Sequence, residues 1–354
     1  MPYIDYNRIF TYSEADVYYI TGARGTGKTF GARVKALDRF DKAQEKGLTG
    51  GRFCAITRFS KNKEKIERGY FEKLQAKGFY QDYNFKWKND ACYRNRKGTD
   101  TWECVGYCVA LTDQGITKEE TYTGLENGTV IFDEVALDRR DTFHRYLKDE
   151  FDFYFLSTLK SLFRDDDAYK MNTKIIMLSN AVDMLCPYYA AYGVTYDMLA
   201  EYGTYWCLNK AVLFINSPDM PTPEDVSNTI VGRLASGSET SKMMFENKYE
   251  GQIDDFIAPK TESAKYVCGL VFNGDNFGLW YDGALWYVNN SIPHGQGHVF
   301  TITLADNRIN YKALRKADIT IGNIVRLHYE GRVRYHNALV QAKFSTFLKF
   351  VGVV

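Results

Sequence analysis

Long apolar runs, prolines and histidines are all scarce in this sequence. No run of about 18 apolar residues occurs, and the N-terminus MPYIDYNRIF lacks the basic and then apolar order of a secretory signal. Only 7 Pro and 5 His are present, while the 45% hydrophobic and 25% charged contents are ordinary for a globular protein. We therefore expect a protein that acts in the cytosol without a membrane partner and that, at 354 residues, divides into two domains.

The cysteines are also few, and their spacing does not suit a metal. Seven are present without any C-x-x-C pair, although Cys104 and Cys108 are four positions apart. A structural zinc site usually draws on paired cysteines or histidines. We therefore favour small buried thiols over the alternative interpretation, which is a zinc site.

A strong excess of either charge is missing as well. Lys and Arg number 45 and Asp and Glu number 44, so the chain as a whole is no polycation. The charges are unevenly distributed, because residues 58–98 and 307–354 are basic and residues 219–262 lean acidic. Aromatic residues, in contrast, reach 16% and include 27 Tyr. They indicate aromatic packing in the cores or, alternatively, stacking against a nucleic acid.

The clearest motif lies in residues 17–30, VYYITGARGTGKTF. It reads as a buried strand, a glycine-bearing loop and the start of a helix. The loop fits G-x-x-x-x-G-K-[ST] at every fixed position, in the strand-to-helix context that the motif requires. We interpret it as a P-loop for ATP and Mg²⁺, formed by Gly22, Ala23, Arg24, Gly25, Thr26, Gly27, Lys28 and Thr29.

The residue types of this loop suit phosphate chemistry. Glycines permit backbone angles that turn successive N–H groups toward an anion, and the helix that follows presents its positive end to the same oxygens. We expect Lys28 to reach the β- and γ-phosphates of the nucleotide. The hydroxyl of Thr29 is expected to ligate Mg²⁺.

A second motif, TVIFDE, occupies residues 129–134. It is an apolar strand that ends in two carboxylates, which is the Walker B pattern. We expect Asp133 to hold Mg²⁺, directly or through water, and Glu134 to polarise the attacking water as general base. The short pattern alone is weak. It gains strength from its place about 105 residues after Lys28, with strands and helices alternating between.

A third buried strand, KIIMLS, is followed by Asn180. Related P-loop ATPases carry a sensor for the γ-phosphate or the attacking water at this point, and the alternative is a residue that only caps the next segment. Three strands with chemistry at their carboxyl ends predict an α/β fold. The expected architecture is a doubly wound P-loop sheet, of the ASCE or RecA-like type, between layers of helices.

The chain also shows where its domains end. The segment SPDMPTP is rich in proline, and the pattern changes to strands near residue 265. We expect a P-loop domain over 1–217, a helical linker or small subdomain over 218–264, and a smaller α+β domain over 265–354. In the last of these, Asp282 and Gly283 mark a hairpin turn.

Further elements are expected within the first domain. The pattern predicts a helix over 28–45, a strand over 53–57 and a helix over about 141–164. The stretches FKWKNDACYRNRKG and WECVGYCVAL are expected to pair as a hairpin. The stretch 206–216 reads as one last strand.

The motifs GARGTGKT, IFDE and LSNAV together resemble the DNA-packaging (encapsidation) ATPases of phi29-like small phages. The resemblance covers most of residues 1–220, and over 265–354 it rests on chain length and a β-rich layout. The family is similar to terminase large subunits, with an ATPase domain followed by a degenerate RNase H-like domain. The resemblance implies a homo-oligomeric ring, pentameric in the family, at the portal of a procapsid in the host cytoplasm. It further implies ATP-driven movement of double-stranded DNA, and in part of the family a packaging RNA.

The resemblance also implies roles for arginines. A ring ATPase needs an arginine from the neighbouring subunit to stabilise charge on the transferring phosphoryl group. The family's placement favours Arg164, with Arg145 or an ordinary surface arginine as alternatives. Arg24 is expected to contact a phosphate or Glu134, as an arginine of this loop does in terminases.

Movement along DNA calls for contacts with the backbone and no reading of bases. We assign this role to Arg58 and Lys61, which follow the strand at 53–57. The competing interpretation, a solvated helix face, is the better account of the outer residues of 58–77. The basic stretch 307–349 is open to packaging RNA, DNA or the portal.

Nuclease activity is not expected. RNase H-type cleavage needs several carboxylates around two metals, and the predicted first strand of the second domain, residues 266–273, has none. Two other classes of function remain. One is a nucleotide-gated assembly or scaffolding protein with slow hydrolysis, and the other is a helicase-like P-loop ATPase or a kinase of small substrates.

Overall fold

The structure is a computed structural model that describes most of the sequence. The described residues are 4–113, 122–137, 146–147, 150–163, 172–180, 186–218, 229–235, 256–293, 295, 298–313, 324, 327–328, 332–337, 340–341, 343–344 and 347–348. The chain divides into two units, Met1–Val194 with Glu201–Lys248 and Thr195–Ala200 with Tyr249–Val354. The domain boundaries expected at 217 and 265 stay a prediction.

A single sheet runs through the first unit, with nine strands among its described residues. In chain order they are β1 Val17–Thr21, β2 Phe53–Thr57, β3 Tyr83–Lys88, β4 Ala91–Arg96, β5 Glu103–Ala110, β6 Thr129–Phe132, β7 Lys174–Ser179, β8 Gly203–Cys207 and β9 Val212–Asn216. Their order across the sheet is β3-β4-β5-β2-β6-β7-β1-β9-β8. The six strands from β5 to β9 in this order are parallel, and β3, β4 and β8 are antiparallel to their neighbours.

The parallel register brings the ends of three strands together. Thr21, the last residue of β1, pairs with Ser179, the last residue of β7. Phe132 ends β6 and pairs with Met177 of β7. The loop after β1, the two carboxylates after β6 and the asparagine after β7 therefore leave the sheet at the same edge, which is where open parallel sheets bind ligands.

The helices among the described residues of the first unit are α1 Tyr6–Ile9, α2 Lys28–Glu45, α3 Lys63–Gly69 and α4 Glu72–Ala76, and later Leu156–Leu162, Pro187–Tyr192 and Ile230–Ala235, with a π-helix at Glu150–Phe155 and 3₁₀ turns at Ser60–Asn62 and Leu111–Asp113. The short helix Tyr196–Ala200 belongs to the second unit. Helix α2 packs over β2, β6 and β7, and it contacts both α1 and α4. The segment around α1 is tied to the loop before α2, since the amide of Ile4 donates to the carbonyl of Thr26 at 3.3 Å and the Tyr6 hydroxyl donates to the carbonyl of Lys28 at 2.7 Å.

Aromatic side chains fill much of the core between the sheet and these helices. The ring of Phe53 stacks on Tyr70 with centroids 5.0 Å apart, and Phe71 stacks on Phe85 at 3.9 Å. Gly106 leaves room for this cluster, because a Cβ there would lie 2.5 Å from the ring of Phe53. These aromatic residues are used in packing.

The second unit is built on a six-stranded sheet within its described residues. The strands are β10 Lys265–Phe272, β11 Asp275–Tyr281, β12 Trp286–Asn289, β13 His298–Thr301, β14 Tyr311–Ala313 and β15 Val333–Tyr335, in the order β14-β13-β10-β11-β12-β15. β11 and β12 form the hairpin predicted at Asp282 and Gly283. The carboxylate of Asp282 accepts hydrogen bonds from the amides of Leu285 and Ala284, and these bonds lower the pKa of Asp282 to about 2.

The predicted fold class is confirmed: an α/β P-loop sheet with helices, followed by a smaller unit with a sheet of its own. The likeness of that unit to RNase H stays a prediction. The predicted helix over 28–45 and the strand over 53–57 have the expected bounds. The predicted helix over 141–164 lies partly outside the described residues. Of its described residues, 150–162 form the π-helix and the α-helix that follows it, whereas Tyr146 and Leu147 are not helical.

The hairpin expected between FKWKNDACYRNRKG and WECVGYCVAL is confirmed, because β4 and β5 pair antiparallel. The first of these stretches also contains the turn of a second hairpin, between β3 and β4, because Asn89 and Asp90 both adopt positive φ, at +50° and +59°. The prediction of one strand over 206–216 is wrong, since a turn with Asn209 at φ +51° separates the end of β8 from β9.

Candidate functional site

The loop after β1 has the geometry of an anion-binding turn. Gly25 and Gly27 adopt φ of +85° and +76°, a region that suits glycine, and Gly27 immediately precedes α2. The buried Thr26 donates its hydroxyl to the carbonyl of Ala23 at 3.0 Å, which closes the loop on itself. The loop therefore faces the cavity in front of α2 with main-chain amides and the start of a helix.

Lys28 is folded back onto this loop. Its Nζ donates to the carbonyls of Gly22 at 2.8 Å and Ala23 at 2.6 Å. Burial lowers the pKa of Lys28 to about 8; Asp133 opposes this shift and Arg24 adds to it. The lysine is thus only 7% exposed, and its ammonium is held by neutral carbonyls that an anionic ligand can replace.

Thr29 and Asp133 meet across 104 positions of sequence. The Thr29 hydroxyl donates to Oδ2 of Asp133 at 2.7 Å. One hydroxyl and one carboxylate at this separation are oxygen ligands of the kind that Mg²⁺ prefers. The two residues predicted to hold the metal are therefore neighbours in the structure.

Glu134 has an unusual backbone for its residue type. Its φ is +55°, in the left-handed region that side chains other than glycine rarely adopt, and its amide donates to Oδ1 of Asp133 at 3.0 Å. The next amide, that of Val135, donates to the carbonyl of Leu178 in β7 at 2.9 Å. This strained turn leaves the Glu134 side chain exposed at the rim of the cavity.

Arg58 supports the same turn from inside. Its guanidinium donates to the carbonyls of Glu134 at 3.2 Å and Val135 at 3.0 Å, and it pairs with both carboxylate oxygens of Glu150. Burial works against its charge, but Glu150 overrides this and holds the pKa of Arg58 above its ordinary value. Tyr188 also donates to Glu150, at 3.0 Å. Because Arg58 is 5% exposed and its charge is paired, the prediction that it contacts DNA is wrong in this structure.

A cavity of about 640 Å³ joins these groups. Its lining contains nine of the residues predicted from sequence, namely Arg24, Gly25, Thr26, Gly27, Lys28, Thr29, Asp133, Glu134 and Asn180. Asn180 follows β7 and stands beside Ser179, whose hydroxyl lies 3.2 Å from that of Tyr189. The predicted nucleotide, metal, base and sensor residues are therefore brought to one cavity.

Sequence reasoning missed the other wall of this cavity. It is formed by Phe30, Arg33, Lys73, Leu74, Ala76 and Lys77. Arg33 donates to the carbonyls of Gly69 and Tyr70 at 3.3 and 3.2 Å and lies over the Tyr70 ring at 4.3 Å. A signal was present in the basic run 58–98, where two lysines stand four positions apart, but a solvated helix face explained it equally well.

Residues 3–350 match the family of podovirus DNA encapsidation proteins (Gp16). The chain belongs to this family. The resemblance that the motifs indicate is thereby confirmed, and it extends through the second unit of the encapsidation protein as well as the first.

Known relatives of the encapsidation protein are similar over nearly their full length. The DNA packaging protein of Bacillus phage phi29 is 24% identical over 328 residues, which cover 91% of this chain and 90% of that one. The DNA packaging protein of Bacillus phage B103 is 25% identical over 335 residues, covering 91% and 93%. A chain of the bacteriophage Phi-29 viral genome packaging motor assembly matches at a TM-score of 0.62 and 20% identity, with 99% of each chain covered. The last comparison shows a shared fold.

Several predicted site residues of this encapsidation protein stand apart from the cluster or cannot be placed. Lys61 is exposed in the 3₁₀ turn after β2, with its Nζ 5.5 Å from the ring of Phe59. Arg24 is exposed at the cavity rim. Arg164 and Arg145 lie outside the described residues. The roles predicted for these four residues stay predictions.

Acids and thiols elsewhere have local roles. In the second unit, Asp275 pairs with Lys343 at 2.6 Å, and Asp306 accepts from the amides of Asn273 and Gly274. All seven cysteines are free. Across the described ranges, no group of three or more His, Cys, Asp or Glu side chains could hold a metal, and no helix is long and apolar enough to cross a membrane.

Proposed function

We propose that this encapsidation protein is an ATP-driven motor that moves double-stranded DNA into a phage procapsid. The observation that carries the proposal is the contact between Thr29 and Asp133, because it joins the two motifs of a P-loop ATPase at the mouth of an anion-binding loop. Family membership supports DNA packaging as the task. The ATPase cycle and its residues are inferred from the geometry of the cavity.

Binding uses groups that are already in place. The amides at the start of α2 receive the phosphates, and Lys28 exchanges the carbonyls of Gly22 and Ala23 for phosphate oxygens. This exchange replaces neutral acceptors with charged ones, which strengthens both hydrogen bonds. Arg24, exposed at the rim, adds a further cation near the phosphates or near Glu134.

The residues present fit a magnesium ion. The hydroxyl of Thr29 and the carboxylate of Asp133 would hold it, and when bound it would neutralise charge on the phosphate oxygens. Asp133 is fixed for this task by a second contact, since its other oxygen accepts from the Glu134 amide.

Hydrolysis is assigned to residues on both sides of the cavity. Glu134 takes the proton of the attacking water, and Asn180 orients that water or the γ-phosphate. The strained turn at Glu134 is held by Arg58 and by β7, so that the base and Asn180 share one rigid support. Arg164 of a neighbouring subunit would complete the site in a ring, which is pentameric in the family that the motifs resemble.

Contacts with DNA and other partners complete the proposal. Lys61, exposed and close to the end of β2, is our candidate for the DNA backbone. The portal of the procapsid in the host cytoplasm is the proposed place of action, and a packaging RNA is a candidate partner for the basic stretch 307–349. The second unit is proposed to lack nuclease activity, because Asp275, Asp282 and Asp306 are committed to local contacts.

The experiment is the steady-state ATPase rate as a function of protein concentration, with and without double-stranded DNA. We expect a rate per subunit that rises with concentration, increases with duplex and is lost in Lys28→Ala. Arg164→Ala subunits should regain activity when mixed with Glu134→Gln subunits, since each supplies what the other lacks. A rate that ignores both concentration and DNA would instead favour an ATPase complete within one chain, such as a kinase of small substrates.

The role of Glu134 distinguishes a motor ATPase from the alternative function, a scaffolding protein that binds nucleotide. A protein that only binds nucleotide in order to assemble has little need of a general base. We therefore expect Glu134→Gln to lower the ATPase rate by about 10²-fold or more while nucleotide binding persists. An unchanged rate would support the scaffolding function.

A further inference from the structure

The segment that precedes β1 contacts the phosphate-binding loop from outside the cavity. The amide of Ile4 donates to the carbonyl of Thr26 at 3.3 Å. The hydroxyl of Tyr6 donates to the carbonyl of Lys28 at 2.7 Å. Both Ile4 and Tyr6 are buried, and neither of these two described residues lines the cavity. Their influence on a bound nucleotide therefore has to pass through the loop.

The geometry of the peptide group gives these two carbonyls their importance. The carbonyl of one residue and the amide of the next form a planar unit, and in a trans peptide they point in opposite directions. No cis peptide occurs among the described residues. The carbonyl of Thr26 thus shares a plane with the amide of Gly27, and the carbonyl of Lys28 shares one with the amide of Thr29. A hydrogen bond that holds either carbonyl therefore also sets the direction of the amide behind it.

The two amides are placed where a phosphate binds. Gly27 and Thr29 both line the cavity, and they stand immediately before α2 and at its second residue. The amide of Gly31 donates to the carbonyl of Gly27 at 2.8 Å, which opens the ladder of hydrogen bonds within the helix. The amides of Gly27 and Thr29 precede this bond and have no acceptor inside the helix. Amides in this position are the donors with which a helix start binds phosphate oxygens.

The ring of Tyr6 packs against a glycine of α2 that makes room for it. A Cβ at Gly31 would lie 2.6 Å from Cε2 of the ring. The φ of Gly31 is not positive, so its backbone does not call for glycine, and a glycine inside a helix lowers helix stability. The close approach of the Tyr6 ring therefore explains the glycine at this position.

The residues after Tyr6 hold it in place against the same elements that carry the loop. The side chain of Asn7 accepts from Nζ of Lys35 in α2 at 3.0 Å. The ring of Phe10 stacks on that of Tyr18 in β1, with centroids 4.6 Å apart. The hydroxyl of Tyr6 is thus fixed relative to β1 and α2, which flank the loop.

We propose that Tyr6 is a positioning residue of the nucleotide site, whose hydroxyl aims the amide of Thr29 at a phosphate by holding the carbonyl of Lys28. The amide of Ile4 acts in the same way on Gly27. The inference rests on the proposed ATPase function and adds two residues to it. It also assigns the part of the ligand that they serve, because these amides bind phosphate oxygens and not the base or the ribose.

The test is isothermal titration of the full chain with ADP and, separately, with inorganic pyrophosphate, both with Mg²⁺. Tyr6→Phe removes only the hydroxyl, and we expect the affinities for both probes to fall by a similar factor of about three to ten. Tyr18→Phe is the matched control, because its hydroxyl donates instead to the carbonyl of Tyr12 at 3.0 Å. It should leave both affinities within about twofold of those of the unmodified protein.

Thermal unfolding separates positioning from a general loss of stability. Each of the two variants loses one hydrogen bond to a carbonyl, so their unfolding midpoints should fall by similar amounts, while Tyr6→Phe alone loses affinity. Affinities that fall in step with the midpoint in both variants would overturn the proposal.

A second set of variants tests the contact between the ring and α2. Gly31→Ala should displace the ring of Tyr6 and lower both affinities although the hydroxyl is still present. In the Tyr6→Ala background the same substitution should change the affinities little further, because the ring is already absent. Effects of the two substitutions that simply add would show that Gly31 does not act through Tyr6.

The two probes distinguish the remaining outcomes. Unchanged affinities in Tyr6→Phe would overturn the proposal and leave the nucleotide-binding function intact. A loss seen with ADP and not with pyrophosphate, including the case in which pyrophosphate does not bind at all, would also overturn it, because the segment would then act on the nucleoside. An unmodified protein that binds neither probe would refute the proposed function itself.

Discussion

The guanidinium of Arg58 and the carboxylate of Glu150 form a buried ion pair, with Nε and Oε2 2.8 Å apart, and the same guanidinium bonds the main chain of Glu134 and Val135. Three segments far apart in sequence thus share one charged group: the end of β2, the turn after β6 and the π-helix. Because the pair is buried, removing one partner is expected to lower the free energy of unfolding, since the other charge would remain buried without its counter-charge.

Arg58→Ala is expected to destabilise the first unit strongly. It leaves the carboxylate of Glu150 buried with Tyr188 as a remaining partner, at a cost of about 3–5 kcal/mol. Urea unfolding followed by circular dichroism measures this, with Lys61→Ala, an exposed neighbour, as the control. Arg58→Met/Glu150→Leu should lose less than the sum of the single variants, and strict additivity would show that the pair is not coupled.

Nucleotide affinity should depend on pH through Lys28. Its pKa is about 8 in the nucleotide-free chain, and phosphate oxygens favour the charged form, so the pKa is higher in the complex. Affinity is therefore fully present below pH 8 and falls as pH rises above it, by at most about tenfold per pH unit.

The measurement is the dissociation constant of ADP at pH 7 and pH 9, together with the proton uptake on binding in buffers of different ionisation enthalpy. Lys28→Arg is the control, because a guanidinium stays protonated over this range. Equal affinity of the unmodified protein at both pH values would contradict the expected role of Lys28.

The hydroxyl of Thr29 should set the magnesium requirement. Thr29→Val keeps the shape but removes the donor to Asp133, and we expect the Mg²⁺ concentration for half-maximal ATPase activity to rise about tenfold or more. Thr29→Ser retains the hydroxyl and should behave like the unmodified protein. The measurement is the ATPase rate as a function of Mg²⁺ concentration. The same Mg²⁺ dependence for Thr29→Val and the unmodified protein would show that Thr29 does not bind the metal.

Gly106→Ala should destabilise the sheet. The new methyl group would lie 2.5 Å from the ring of Phe53, which is held by its stack on Tyr70, and overpacking of this kind costs about 1–3 kcal/mol. Gly69→Ala is the comparison, because a Cβ there meets nothing within 4 Å. It should leave stability unchanged or raise it by up to about 1 kcal/mol. Urea unfolding measures both variants. Identical unfolding curves for Gly106→Ala and Gly69→Ala would show that the ring of Phe53 can move to make room for the new methyl group.

The nucleotide motifs were predictable because each has a fixed spacing and lies in a fixed context of strand and helix. Lys28, Thr29 and Asp133 were assigned from sequence, and the structure brings them to one cavity with Glu134 and Asn180. Parallel strands make this possible, since carboxyl ends that are far apart in the chain meet at one edge of the sheet.

Contacts between segments that follow different strands of the sheet could not be predicted in the same way. A basic residue after a strand reads as exposed, and nothing near Arg58 in the sequence indicates that Glu150, 92 positions later, neutralises it. Lys73 and Lys77 likewise reach the cavity only because α4 packs beside α2. The two turns that were not predicted, between β3 and β4 and between β8 and β9, have a local cause, because Asn89 and Asn209 take left-handed angles inside stretches whose side chains suit strands.

The contacts of Ile4 and Tyr6 with the phosphate-binding loop bear on how this protein can be handled. The amide of Ile4 and the hydroxyl of Tyr6 bond the carbonyls of Thr26 and Lys28. An affinity tag or fluorophore fused ahead of Ile4 would lie next to a residue that bonds the loop after β1, and we expect it to disturb these hydrogen bonds. Reporters intended to leave nucleotide turnover undisturbed are better attached through an exposed side chain far from this loop, such as Lys86 on the edge strand β3.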